Sequence, residues 1–324
     1  MEENTEQRVD LTLFSEKIQE LKDQIASVIV GQEQTVDLVL AAILANGHVL
    51  IEGVPGVAKT LLARLTARLI DADFSRIQFT PDLMPSDVLG TTVFNMKTNE
   101  FDFHQGPIFA DIVLVDEINR APAKTQAALF EVMEERQISI DGITHKMGEL
   151  YTILATQNPV EQEGTYKLPE AQLDRFLMKI TMDYPSLEEE VDILERHHTN
   201  TSLIRLDDIK PAITKEELLS LRAFMNQVFV DRTLLQYIAL IVQQTRTSKA
   251  VYLGASPRAS VAMLQASKAY ALLQGRDFVT PEDIKFVAPY VLQHRLILTA
   301  EAEMEGYSPV KVTQRLIDKV EVPK

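Results

Sequence analysis

A glycine-rich stretch between residues 53 and 60 has the composition and spacing of a loop that binds nucleotide phosphates. It follows an apolar run at 48–51 and precedes a helical pattern at 61–70, so the order is strand, loop, helix. Its glycines would let the loop fold back until backbone N–H groups converge on a phosphate, beside the positive end of the helix. The loop and the residue after it are Gly53, Val54, Pro55, Gly56, Val57, Ala58, Lys59, Thr60 and Leu61.

Two side chains of this loop could act on a bound nucleotide. Lys59 would reach the β- and γ-phosphates, and Thr60 would place its hydroxyl on Mg²⁺, which takes few ligands from protein. The strict pattern has glycine where this chain has Ala58. Alanine would cost little there if the residue is already helical with a negative φ, and its methyl group is small enough to let a phosphate approach the backbone. The flanking strand and helix disfavour the alternative, a plain glycine-containing turn.

Two adjacent carboxylates follow a second apolar run, Ile112 to Val115. Such a run predicts a strand buried on both faces whose carboxyl end meets a site. Asp116 would share Mg²⁺ with Thr60, and Glu117 would orient or deprotonate an attacking water. Adjacent strand residues point to opposite faces, so both can serve one site only where the strand end splays. The alternative is a solvated acidic pair that caps the strand.

A third polar group, the amide of Asn158, follows the predicted strand Tyr151 to Thr156. It could position water between Glu117 and the γ-phosphate. Alternatively, Asn158 is a turn residue before Pro159. Its place at a strand end, where phosphate sites are common, favours the functional interpretation.

An α/β core must bring these side chains together. Apolar runs predict strands at residues 48–52, 74–79, 111–117, 151–156 and 176–182, and helical periodicity predicts helices at 11–28, 33–45 and 124–135. Hairpins are predicted at residues 91–104 and around Asp141-Gly142. We place a domain boundary near Pro185, with the core at residues 1–185 and a helical domain at 186–324. The helical domain shows a strand signal only at 310–312.

Composition narrows the class of protein. The 324 residues contain no cysteine, so neither disulfides nor thiolate metal sites exist. The net charge of −15 disfavours general affinity for nucleic acid or anionic membranes. No apolar run approaches the roughly 20 residues of a membrane span, and the acidic N-terminus opposes a signal peptide. We expect a soluble, cytoplasmic protein.

Five motifs in this order resemble the MoxR family of AAA+ ATPases, in the helix-2-insert clade, and the resemblance covers essentially the whole chain. They are Gly53 to Thr60, Ile112 to Glu117 with Asn119-Arg120-Ala121, Thr156 to Pro159, Leu173 to Phe176, and Gly254 to Ala259. The resemblance implies a five-stranded parallel sheet of order 5-1-4-3-2 with an all-helical C-terminal lid. It implies Mg²⁺-dependent ATP hydrolysis in a hexameric ring. The expected partners are protein clients, often with a von Willebrand factor A domain, remodelled in a chaperone-like way.

The resemblance also implies roles for residues outside the loop. Arg175 matches an arginine finger that would enter the neighbouring subunit's site, where such a charge can raise the rate by about 10³–10⁵. The alternative is a surface arginine paired with Asp174. Val30 and Gly31 resemble the segment along the adenine, although plain core packing would explain them equally well.

Arg258 matches the sensor-2 arginine, which would touch the γ-phosphate in the same subunit or in a neighbour. Independent support comes from its position. Ser256 and Pro257 suit the start of a helix, so Arg258 lies in the first turn, where a cation opposes the helix dipole. Such an unfavourable charge indicates a partner anion.

Two rival functions remain open. A nucleic-acid motor like the MCM helicases would share the Ala58 loop and both hairpins, but the acidic balance opposes it and only Lys146 lies near the second hairpin tip. A nucleotide-gated scaffold would bind ATP with little turnover, which the presence of Glu117, Asn158 and Arg175 disfavours.

Overall fold

A computed structural model of the chain describes residues 11–159, 165–166, 168–199 and 209–323. Within these residues the strands are β1 (Val49–Gly53), β2 (Phe74–Gln78), β3 (Gly90–Asn95), β4 (Glu100–Gln105), β5 (Ile112–Asp116), β6 (Gln137–Ile140), β7 (Ile143–Lys146), β8 (Thr152–Gln157), β9 (Met178–Met182), β10 (Val251–Leu253) and β11 (Ile297–Leu298). The helices are α1 (Leu11–Val28), α2 (Glu33–Leu44), α3 (Lys59–Leu69), α4 (Pro85–Leu89), α5 (Ala123–Glu135), α6 (Glu170–Leu173), α7 (Leu187–His198), α8 (Lys215–Phe224), α9 (Arg232–Thr247), α10 (Pro257–Leu273), α11 (Pro281–Leu292), α12 (Ala300–Met304) and α13 (Pro309–Lys319).

The core is a five-stranded parallel sheet of order β2-β5-β8-β1-β9. Counted along the chain, this is the expected order 5-1-4-3-2, which is confirmed. Gln78 lies beside Asp116 in the register, and Ile51 lies beside Thr156. The carboxyl ends of β1, β5 and β8 therefore meet at one edge of the sheet.

The sheet is buried on both faces, as its continuous apolar strands predict. In β5, Ile112 and Leu114 belong to one apolar cluster with α1, α2, α3 and the C-terminal helices. The alternate residues Val113 and Val115 belong to a second cluster with α5. Fixed packing on both faces leaves only the strand ends open to a ligand.

Two hairpins extend from the core, formed by β3 with β4 and by β6 with β7. Both were predicted. At the second tip Asp141 and Gly142 have φ of 50° and 79°, the paired positive angles of a type I′ turn, which suits Asp-Gly.

The C-terminal part, from α7 onward, is mainly helical. Capping boxes begin three of its helices, formed by Ser186 with Glu189, Thr214 with Glu217 and Thr280 with Asp283. The strand expected at 310–312 is wrong, because Ser308 caps a helix there and Pro309 occupies its first position. A short antiparallel pair, β10 with β11, was not predicted, since two and three residues carry too little pattern.

Helix α8 returns to the amino end of the core sheet. Lys215 Nζ lies 2.5 Å from Asp111 Oδ1, and Arg222 donates to the backbone oxygens of Glu149 and Ile43. The division near residue 185 stays a prediction. None of the helices in the described part of the chain is long and apolar enough to cross a membrane.

Candidate functional site

The loop between β1 and α3 contains two positions that require glycine, each for a different physical reason. A Cβ on Gly53 would meet the backbone oxygen of Met182 at 2.7 Å, so glycine is required by the close approach of β9. Gly56 has a φ of 90° with open space around it, so there the backbone conformation requires glycine.

Ala58 does not meet the condition under which alanine would cost little, a helical backbone with negative φ. Its φ and ψ are 62° and 21°, the left-handed region, and it stands at the N-cap of α3. An L-residue there costs about 1–2 kcal/mol relative to the right-handed conformation. Alanine adds only a methyl group at this turn. That methyl group packs against the apolar core beside α3.

Lys59 folds back over the loop. Its Nζ donates to the backbone oxygen of Gly53 at 2.5 Å. Partial burial lowers the pKa of Lys59, while the carboxylates of Asp116 and Glu117 oppose that shift. A partly dehydrated cation beside a glycine loop suits a phosphate ligand.

Glu117 turns out of the strand so that both carboxylates face one cleft. It follows the end of β5 with φ of 56° and ψ of 51°, a left-handed conformation that breaks the alternation of the strand. The splayed strand end expected from the sequence is thereby found.

Thr156 on the neighbouring strand holds both members of the pair. Its Oγ1 donates to Asp116 Oδ1 and accepts from the backbone N–H of Glu117, each at 3.0 Å. No separate role for Thr156 was predicted from its sequence position. The available signal was a hydroxyl among apolar residues at the end of a strand.

Two side chains of β2 also reach the carboxylates and were missed. Arg76 Nε lies 2.6 Å from Asp116 Oδ2, and Gln78 Nε2 donates to Glu117 Oε2 at 3.0 Å. Arg76 also donates to Gln78 Oε1 at 3.2 Å. Alternate strand residues share a face, so β2 presents a polar row to the end of β5. Arg120 Nε also pairs with Glu117 Oε2 at 3.1 Å.

A cavity of about 380 Å³ unites most of the predicted residues. It is lined by Pro55, Gly56, Ala58, Lys59, Thr60, Leu61, Arg76, Gln78, Asp116, Glu117, Thr156 and Asn158. The donor set fits a magnesium nucleotide: Lys59 is a cation for phosphate, while the oxygens of Thr60 and Asp116 are hard ligands of the kind Mg²⁺ takes. Asn158 is buried at the wall.

Val30 and Gly31 lie outside this cavity. Val30 is half-buried, and Gly31 has a φ of 72°. A Cβ on Gly31 would meet Glu189 Oε1 at 2.1 Å, so the segment lies directly against the start of α7.

Arg175 and Arg258 do not line the cavity either, but they lie together elsewhere. Arg175 Nη2 lies 2.8 Å from Glu134 Oε2, and Arg258 Nη2 lies 3.6 Å from Glu134 Oε1. Arg175 also donates to the backbone oxygen of Phe130 on the same helix, α5. The alternative pairing of Arg175 with Asp174 is wrong, since Asp174 pairs with Arg295. Ser256 stands at the N-cap of α10 as predicted, although its side chain makes no capping hydrogen bond.

Residues 48–178 match the model of the ATPase family associated with various cellular activities (AAA), and residues 243–318 match an AAA lid domain. The chain is 48% identical over 304 residues to the uncharacterized protein YeaC of Bacillus subtilis, covering 93% of each. It is 45% identical over 310 residues to Chaperone MoxR1 of Mycobacterium tuberculosis, covering 93% of this chain and 81% of that protein. A crystal structure of a proposed ATPase from Cytophaga hutchinsonii superposes with a TM-score of 0.88 at 40% identity, covering 97% of both chains.

Proposed function

The chain belongs to the MoxR family of AAA+ ATPases, and from that premise we propose that it hydrolyses ATP with Mg²⁺ in a ring of identical subunits to remodel or activate other proteins. The observation that carries the proposal is the single cavity that holds Lys59, Thr60, Asp116, Glu117 and Asn158 together. Each group that phosphoryl transfer to water needs within one subunit is present there.

Within the cavity the side chains divide the work. Lys59 binds the phosphates, and Thr60 and Asp116 would hold Mg²⁺. When bound, the metal supplies positive charge that stabilises the transferring phosphoryl group. Glu117 accepts a proton from the attacking water, and Asn158 orients that water.

Thr156 is a positioning residue in this scheme. Its hydroxyl holds Asp116 and the backbone of Glu117 at 3.0 Å each, so the metal-holding carboxylate and the base keep a fixed relation. Val30 and Gly31, beside the start of α7, are proposed to flank the adenine.

We assign both Arg175 and Arg258 to the neighbouring subunit's nucleotide. The support is geometric: both side chains leave their own cavity and converge on Glu134, an anion on α5. Arg258 is 70% exposed, so it is free to meet a partner. In this proposal the carboxylate of Glu134 occupies the position that the γ-phosphate of a neighbouring subunit would take. A hexameric ring would supply that neighbour.

Client proteins are the remaining part of the proposal. The support is the name of the relative Chaperone MoxR1 and a set of exposed apolar side chains on the β3–β4 hairpin, Phe94, Met96 and Phe101. Such exposed apolar groups suit contact with another polypeptide. We propose that clients include proteins with a von Willebrand factor A domain.

An ATP-trapped variant tests the function. Glu117→Gln should bind ATP without turnover, and crosslinking followed by pull-down from cell extract should retain client proteins. Lys59→Ala, which should not bind ATP, is the matched control. We expect clients with Glu117→Gln only, and wild-type protein should release phosphate at steady state. Identical proteins retained by both variants would overturn nucleotide-dependent client binding, and no phosphate release would overturn hydrolysis.

A further inference from the structure

Three consecutive residues after α11 form hydrogen bonds with the segment that carries Arg175. They are Gln293, His294 and Arg295, called here the 293–295 strap, and they contact residues 174–179. We propose that the strap positions Arg175 for its role in the neighbouring subunit, so that the helical lid of one subunit governs catalysis in the next. This rests on the proposed function of Arg175 and adds the residues that hold it.

Arg295 makes most of the contact. Its Nε donates to Asp174 Oδ1 at 2.7 Å. Its Nη2 donates to the backbone oxygens of Asp174 at 3.2 Å and Phe176 at 2.7 Å, and its Nη1 donates to that of Leu177 at 3.1 Å. These partners lie on both sides of Arg175 in the chain. The guanidinium therefore fixes the backbone from which Arg175 projects.

The other two strap residues bind the same stretch. His294 Nε2 lies 3.0 Å from the backbone oxygen of Phe176, and Gln293 Nε2 donates to that of Lys179 at 2.5 Å. Burial lowers the pKa of His294 well below its usual value, so the ring is neutral and donates through Nε2. The strap thus reaches from the Arg175 loop into β9.

Arg295 is only 4% exposed, and its buried guanidinium pairs with Asp174, which is 23% exposed. Burying a charge in an ion pair is a weak source of stability, because apolar residues of similar volume often serve as well. Hydrogen bonds from one guanidinium to several backbone oxygens do fix the position and direction of those backbone groups, which apolar packing cannot do. That favours a positioning role over packing alone.

The strap also links the two arginines of the proposed trans pair. Arg258 lies in the first turn of α10, and α10 packs along α11 through Tyr270 and Phe286, whose rings stack with centroids 4.2 Å apart. The strap continues directly from α11. A shift of the α10–α11 pair would therefore move Arg258 and the Arg175 backbone together.

The test is steady-state ATPase activity of the assembled protein carrying Arg295→Met, with Arg295→Lys as a milder variant that keeps the charge and loses the planar fork. The nucleotide cavity is untouched, so nucleotide affinity and KM should stay within about twofold, while kcat should fall at least about tenfold from misplacement of Arg175. Mixing with Lys59→Ala subunits, which carry an intact strap and Arg175, should restore activity.

Arg276→Met is the matched control, because Arg276 is another lid arginine, in an ion pair with Asp283 at 2.6 Å, and makes no contact with residues 174–179 among those described. It should lower thermal stability and leave kcat unchanged. If Arg295→Met does not fold, Arg295→Lys carries the test. Unchanged kcat in the folded variant, with Arg175→Ala inactive, would overturn the strap alone. An active Arg175→Ala would instead overturn the proposed finger itself.

Discussion

The guanidinium of Arg76 lies against Asp116, with Nε 2.6 Å from Oδ2. Asp116 is the carboxylate proposed to help hold Mg²⁺, so a fixed positive charge sits beside the metal position. Like charges repel, and the repulsion is weakened here because Arg76 is 51% exposed. The carboxylate of Asp116 is thus paired with a cation of its own chain.

We expect Arg76→Gln to lower the Mg²⁺ concentration for half-maximal ATPase activity by about threefold to tenfold, because the competing charge is removed. Titration of Mg²⁺ at saturating ATP measures this. Arg64→Gln, at an exposed position on α3, is the control for the same charge change and should have no effect. A higher Mg²⁺ requirement in Arg76→Gln would mean that Arg76 assists the nucleotide.

Glu117→Gln and Lys59→Ala should separate turnover from binding. Replacing the proposed base should leave ATP affinity near wild type and lower kcat by about 10²–10⁴. Removing the proposed phosphate cation should abolish binding itself. Fluorescent ATP binding and phosphate release measure the two quantities, with exposed Glu303→Gln as a control for loss of one carboxylate. Equal ATPase rates in wild type and Glu117→Gln would refute the assigned base.

Subunit mixing should show that Arg175 acts in trans. Arg175→Ala should bind ATP and lose about 10³-fold or more of its turnover. Lys59→Ala subunits retain Arg175, so a mixture should recover part of the activity when the two are combined. No recovery would contradict the trans assignment.

A second mixture, of Arg258→Ala with Lys59→Ala subunits, decides whether Arg258 acts on its own nucleotide or on a neighbour's. If Arg258 acts in trans, Arg258→Ala mixed with Lys59→Ala should also recover, since intact cavities then meet intact arginines. If Arg258 served its own nucleotide, every cavity in the mixture would lack one group. Activity would then stay at the level of the separate variants.

Glu134→Gln should raise ATPase activity at low protein concentration by about twofold to fivefold. Arg175 and Arg258 must leave Glu134 before they can meet another subunit's phosphate, and exposed ion pairs contribute about 0.2–1 kcal/mol each. The measurement is specific activity against protein concentration. Glu131→Gln, an exposed position on the same helix, is the control. A fall in activity would show that Glu134 assists the arginines in the assembled state.

Buried His48 should make the fold sensitive to acid. Burial, with a smaller effect of Arg136, lowers the pKa of His48 from 6.5 to about 3. Its Nδ1 accepts from the Ile153 N–H at 3.0 Å, and its Nε2 contacts the Met133 oxygen at 3.1 Å. Below pH 6.5 His48 becomes protonated in the unfolded chain but stays neutral in the folded chain. The free energy of unfolding should therefore fall by about 1.4 kcal/mol per pH unit from this group until pH 3.

Urea unfolding at several pH values between 7 and 4 measures that slope. His48→Gln keeps a donor and an acceptor but cannot take up the proton, so its stability should fall less steeply with acid. Exposed His104→Gln should keep the wild-type slope. Equal slopes in wild type and His48→Gln would show that another group governs the acid sensitivity.

Local chemistry let the sequence predict many elements of this protein. The Asp141-Gly142 hairpin and the capping box of Ser186 with Glu189 depend on residues within four positions of each other. The phosphate loop and the carboxylates at the end of β5 also follow from short patterns, because strand ends and helix starts are set by nearby residues. The MoxR resemblance supplied the sheet order, which the fold confirms.

Tertiary structure alone decided which distant side chains meet. Arg76 reaches Asp116 because β2 pairs with β5, and Thr156 holds Glu117 because β8 lies on the other side. Arg175 and Arg258 converge on Glu134, and Arg295 grips the Arg175 backbone, only after helices from far along the chain pack on the core. The left-handed conformation of Ala58 was also decided by tertiary structure, because a strained backbone persists only where its surroundings impose it. Short-range patterns carry no information on contacts that depend on the packing of whole elements.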